Sequence, residues 1–170
     1  MGTAETIDNL LFSSTVGLFK AYGLQLAETQ VRPREVASAS LCAVIGFSGT
    51  WIAGALMIAA DPEPIQKSRP VPDTTDRDWI AELANQLLGR VKNKLLGYGV
   101  EVYATTPIVL RGERITPLGM HGSLPGVIFE TPGGGRVTVW VDFVAVDGLK
   151  LDKALASADP VAREGDVVLF

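Results

Sequence analysis

Residues 41 to 60, LCAVIGFSGTWIAGALMIAA, run for twenty positions without a charged side chain. A stretch of that length is either a helix that spans a bilayer or a segment buried inside a protein. Gly46, Ser48, Gly49 and Thr50 cluster at its centre, where a turn divides the run into two short apolar strands. Its flanks carry no basic cluster, and no cationic start precedes it as in a signal peptide. The run is therefore expected to be a buried hairpin in a sheet covered on both faces. A transmembrane span is the alternative.

Composition sets the scale of what surrounds this hairpin. A chain of 170 residues, 47% hydrophobic and 20% charged, is long enough for one well-packed core and short for two. One domain over residues 1–170 is expected. The net charge of −4, with Lys and Arg scattered, gives no electrostatic reason to expect nucleic acid. Cys42 is the only cysteine, which leaves no internal disulfide and no Cys-based zinc site in one chain, and its apolar setting suits a small core residue.

The best-marked helix follows. Ile80, Leu83, Ala84, Leu87, Leu88, Val91 and Leu95 keep the three-and-four spacing of a core-facing stripe. Thr75 with Asp78 makes a capping box ahead of the stripe, while Gly97 and Gly99 end it after Lys92 and Lys94. At about 100° per residue, Asp78, Glu82, Asn85 and Gly89 share a sector of roughly 60° opposite the stripe. Any surface helix shows a polar face, so this alone indicates little. Asn is a mediocre helix former, however, and Gly89 costs about 1 kcal/mol relative to Ala. Such local conflicts are expected where function overrides stability. Gly89 would also let another backbone or side chain approach closely.

The spacing Asp78, three residues, Glu82, two residues, Asn85, then Pro107 beyond a longer gap, resembles the signature of the CheC, CheX and FliY phosphatases of bacterial chemotaxis. In outline the resemblance covers residues 5 to 147, through an N-terminal amphipathic segment, GFSGTWIAG, GVIFE and RVTVWVDFVAV. The specific part is Glu82 to Pro107. A single Glu/Asn helix is most similar to the CheX type; Glu5 and Asp8 repeat the spacing near the N-terminus, but with Asp in place of Asn.

That resemblance implies a cytoplasmic hydrolase that removes the phosphoryl group from the aspartyl phosphate of a CheY-like response regulator. Glu82 and Asn85 would be the catalytic pair, Glu82 docking the regulator's active-site Lys and Asn85 orienting the attacking water. Asp78, Gly89 and Pro107 would belong to the partner-binding surface. The chain itself would bind no cofactor, with Mg²⁺ carried by the regulator, and a homodimer is expected. The chemistry is sensible, because phosphoryl transfer responds chiefly to positioning and charge, and a neutral amide holds a water without repelling phosphate.

The remaining segments fill in the architecture. Residues 5 to 27 read as an amphipathic helix with Ile7, Leu10, Leu11, Val16, Leu18, Phe19 and Leu24 toward the core. VRPREV is a loop or strand start. Four prolines make 61–76, DPEPIQKSRPVPDTTD, an extended linker. Relatives carry a helix there, so this chain is expected to lack it, and a noncatalytic adaptor for a receiver domain or flagellar switch component becomes the alternative function. VEVYATTPIVL is a strand that Pro107 interrupts. GVIFE pairs with RVTVWVDFVAV across TPGGG, whose glycines make a turn and not a phosphate loop. His121, alone in a polar loop, has no catalytic role. The C-terminal extension 148–170 offers a short helix and an edge strand. The expected fold class is α/β (α+β), a mixed or antiparallel sheet of roughly five or six strands packed against two main helices.

Overall fold

The computed structural model describes residues 2–29, 41–112, 115–119, 122–123 and 126–151. Among these residues three helices, α1 (Thr3–Ala21), α2 (Pro62–Ser68) and α3 (Asp76–Leu96), accompany nine strands. These are β1 (Ala27–Glu28), β2 (Leu41–Ser48), β3 (Ile52–Ala60), β4 (Tyr103–Ala104), β5 (Ile108–Arg111), β6 (Leu118–Gly119), β7 (Gly122–Ser123), β8 (Val127–Glu130) and β9 (Arg136–Ala145). Seven strands form one antiparallel sheet in the order β1-β8-β9-β3-β2-β4, with β5 also on β2; β6 and β7 pair separately. The fold is α+β, with one helix and at least one strand more than the sequence suggested.

The uncharged run is a hairpin at the centre of this sheet. β2 and β3 pair over their full length, from Leu41↔Ala60 to Ser48↔Ala53, and the amide of Gly49 closes the turn on the carbonyl of Ile52 at 2.8 Å. Side chains alternate between two faces as a pleated strand requires. Leu41, Ala43, Ile45 and Phe47 of β2 join Ile52, Leu56, Ile58 and Ala60 of β3 in the main core, beneath α1 and α3. On the far face Cys42, Met57, Ala59 and Trp140 make a smaller cluster with Val44 and Ile115. Cover there is partial, since Ser48, Ile108, Leu110 and Val144 are exposed, so the sheet is not buried on both faces throughout. No helix among the described residues is long and apolar enough to cross a membrane.

Both long helices end on glycines that adopt left-handed backbone. Gly23 has φ 76°, with its amide bonded to the carbonyl of Lys20 and that of Leu24 to Phe19, so α1 stops at Ala21 and not at residue 27. At the end of α3, Gly99 (φ 75°) bonds to Leu96 and Val100 to Leu95 in the same pattern. Leu24 and Val100, the residues after each turn, are buried and lock the exits against the core.

The stretch 61–76 is not the extended linker its prolines suggested, because Pro62–Ser68 are helical. Pro62 and Pro64 both lie in the first turn, where amides lack intrahelical partners and a missing N–H is harmless. Arg69, preceding Pro70, returns to extended backbone and ends α2. The indole of Trp79 on α3 then donates to the Ser68 hydroxyl at 2.9 Å. His121, VRPREV and, from residue 152 on, the helix and strand expected in 148–170 lie outside the described residues.

Glycine turn and α2 are built against each other. The Glu63 carboxylate accepts from the Thr131 hydroxyl and the Lys67 ammonium, each at 2.7 Å. A Cβ on Gly133 or Gly135 would collide with its oxygens. Burial alone would raise the Glu63 carboxyl, but its hydrogen bonds from Lys67 and Thr131 outweigh that and hold it below the usual carboxylate range. A lowered folded-state value means that the stability it contributes is present above the ordinary 4.5 and is lost as pH falls through the folded value. Glu63→Gln should thus destabilise at pH 7 by about 1–2 kcal/mol and lose less to acid than the parent. Chemical denaturation at pH 7, and again in acid below the ordinary carboxylate range, measures both.

Candidate functional site

All seven residues of the predicted α3 stripe are buried, together with Trp79, which the pattern had not claimed. The opposite face is consequently fixed toward solvent, with Asp78, Glu82 and Asn85 exposed and Gly89 half-buried. The start of the helix is capped as the sequence indicated. The amide of Asp78 donates to the Thr75 hydroxyl at 3.1 Å, and that hydroxyl donates to the Asp78 carboxylate at 2.7 Å. Arg77 adds an ion pair at 3.4 Å. Asp78 is thereby engaged in holding the helix start.

Glu82 and Asn85 differ in how they are held. The Gln86 amide donates to the Glu82 carboxylate at 2.7 Å, one turn along the helix, while its carbonyl accepts from the Tyr22 hydroxyl at 2.7 Å. Tyr22 meets Trp79 edge-on at 4.9 Å between ring centroids. A chain of contacts therefore runs from Ser68 on α2 through Trp79, Tyr22 and Gln86 to the carboxylate. Asn85 has no such tether, and no hydrogen bond among the described residues engages its amide. One side chain is oriented in advance and its neighbour is left able to bond something else. Gln86 and Tyr22 were missed in the sequence; the four-residue step from Glu82 to Gln86 was a visible signal, whereas the approach of Tyr22 is tertiary.

Gly89 leaves a gap that the chain does not fill, since a Cβ built there meets nothing within 4 Å. Gly89→Ala should accordingly raise stability by about 1 kcal/mol, read as a higher melting temperature. A lower one would mean the backbone at this position is not ordinary helix. Pro107 lies on the sheet edge, between β4 and β5. β2 pairs Phe47↔Ala104 and Val44↔Ile108, so Thr106 and Pro107 together oppose Ile45 in a bulge. Thr105 bridges the irregularity, its amide donating to the carbonyl of Gly46 at 2.9 Å and its hydroxyl accepting the Gly46 amide at 3.0 Å. Pro107 has no N–H to lose there. Cys42 is fully buried and burial pushes its thiol up, as befits an unreactive core residue.

Comparisons with known proteins agree on the fold. Residues 41–128 match the family described as Chemotaxis phosphatase CheX, a segment that holds the central hairpin, α2, α3 and the bulge. No curated protein matches the chain. Among solved structures, the chemotaxis protein CheX of Vibrio vulnificus is similar at 20% identity with a TM-score of 0.70, over 82% of this chain and 99% of that one. A CheC-like superfamily protein from Shewanella sp. PV-4 is similar at 21% identity with a TM-score of 0.67, over 82% and 97%. The CheX-CheY-BeF3-Mg²⁺ complex of Borrelia burgdorferi contains a chain similar at 16% identity with a TM-score of 0.60, over 79% and 96%.

Proposed function

Because the chain belongs to the CheX family of chemotaxis phosphatases, we propose that it hydrolyses the aspartyl phosphate of a CheY-like response regulator, docking through Glu82 and orienting the attacking water with Asn85. The observation that carries this reading is the contrast on α3 between a carboxylate held by Gln86 and a free amide one turn away, beside the unfilled gap at Gly89. Glu82 pairs with a lysine of the regulator and sets the register of the two surfaces. Asn85 then enters the regulator's acidic pocket, where its carbonyl accepts from a water while its NH₂ group donates. A neutral amide adds no negative charge beside the phosphoryl group, so its whole contribution is position. The complex of the Borrelia relative with CheY supports a regulator of that type as partner.

No group of three or more His, Cys, Asp or Glu side chains among the described residues could hold a metal ion, and this reading assigns Mg²⁺ to the regulator. The adaptor alternative rested on a missing helix between the hairpin and α3. α2 occupies that interval, which removes the reason for it. A homodimer belongs to the same proposal, supported by Ile108 and Leu110 exposed on the edge strand β5. Sedimentation at high concentration that returned only monomer would remove this part. The central test is phosphate release from the phosphorylated regulators of the same genome, with Glu82→Ala and Asn85→Ala as controls. Acceleration for at least one regulator is expected; none for any of them would end the proposal.

A further inference from the structure

The exposed face of α3 continues past Gly89. At about 100° per residue, Lys92 stands roughly 20° from Asn85 and roughly 80° from Glu82 around the helix, so it closes the same face roughly two turns beyond Asn85. Along the axis it lies about 15 Å beyond Glu82. Its ammonium is placed over the Tyr103 ring, 5.6 Å from the centroid. Tyr103 belongs to β4, on the sheet edge that also carries Pro107, and is 61% exposed.

Tyr103 is held in turn. A hydrogen bond from its hydroxyl to the Glu101 carboxylate, and then that carboxylate's charge, push the Tyr103 phenol above its usual range. The two ends of the face are therefore built alike: Glu82 is steadied through Gln86 by Tyr22, and Lys92 by Tyr103. Asn85 and Gly89 lie between them, the one untethered and the other open. A lysine near a helix C-terminus favours the dipole wherever its side chain points, so the dipole does not account for a seat over an exposed ring. That seat leaves the ammonium N–H groups able to bond a further acceptor.

We propose that Lys92, set by Tyr103, is a second docking charge, and that the α3 face selects a receiver domain bearing a carboxylate about 15 Å from the lysine that meets Glu82. An anion and a cation at opposite ends of one neutral strip admit a partner of the reverse charge order and fix which way it lies along the helix. This docking role rests on the function proposed above, to which it adds a determinant of which regulator is served.

Rates measured against concentration, with the phosphorylated regulator that the whole chain turns over best, test the assignment. Lys92→Glu is expected to raise KM about tenfold or more with kcat preserved. Lys92→Arg should restore the parent KM, since a guanidinium also stacks on an aromatic face. Tyr103→Leu should raise KM about threefold with Lys92 present, and leave it unmoved in the Lys92→Glu background, because it acts only through that charge. A lysine that serves the helix end alone would lower the melting temperature in Lys92→Glu without moving KM, and that result would overturn the docking role. An equal effect of Tyr103→Leu in both backgrounds would overturn the part given to the ring. If Lys92→Glu folds poorly, Lys92→Gln takes its place, with a rise in KM of about threefold expected. Kinetics that change in Glu82→Ala and Asn85→Ala but match the parent in every Lys92 variant would remove Lys92 and leave the proposed function intact. Turnover of no regulator at all would end that function, and this docking role with it.

Discussion

Asn85→Ala is expected to lower turnover of the phosphorylated regulator by about a hundredfold while leaving its affinity for that regulator nearly unchanged. The side chain is exposed and makes no hydrogen bond among the described residues, so the substitution removes nothing the fold uses. Alanine is also the better helix former, by about half a kcal/mol, so lost activity could not be attributed to lost structure. What disappears is one acceptor and one donor group, the pair proposed to enter the partner's pocket. Asn85→Asp separates shape from charge: it keeps the outline of the amide but puts a carboxylate beside a phosphoryl group, and should be inactive as well. Single-turnover phosphate release gives the rate, and titration with a non-hydrolysable acyl-phosphate mimic on the regulator gives the affinity. A parallel fall in both would assign Asn85 to docking, and an unchanged rate would remove it from the reaction.

The feature that makes this test clean was legible in the sequence because it is local. The α3 stripe, the Thr75–Asp78 cap and the glycines that end the helix are all set by residues within a few positions of one another, and each is found in the folded chain. The hairpin of 41–60 was legible for a similar reason, its polar centre and apolar arms being contiguous. α2 is hidden from a reading that treats prolines as breakers wherever they stand, because the physical penalty falls on helix interiors and Pro62 and Pro64 occupy a first turn. Nothing local announces the approach of Tyr22 to Gln86, the fit of Glu63 over the glycine turn, or the contact of Lys94 with Ser13 between α1 and α3. Each depends on segments 64 to 81 residues apart being brought together. The polar face itself could be seen in the sequence, but its division into a tethered and an untethered side chain could not.

That division predicts the opposite phenotype at the neighbouring position. Glu82→Lys is expected to weaken the regulator's affinity by about a hundredfold or more, since it sets a cation against the lysine that Glu82 is proposed to meet, while turnover at saturation survives. Lysine matches glutamate closely in helix propensity, so α3 should remain intact. Gln86 would lose its bond to the carboxylate but keep the one from Tyr22, leaving the wall behind the site in place. The parent's affinity should fall with added salt, because the docking pair is exposed before contact, and the variant's should be nearly insensitive to it. Rate measured against regulator concentration distinguishes the cases: a raised KM with kcat preserved places Glu82 in docking, whereas a loss confined to kcat would put the carboxylate at the reacting atoms. If neither parameter moves, the partner does not approach this face of α3, and the Gln86 tether serves the helix alone.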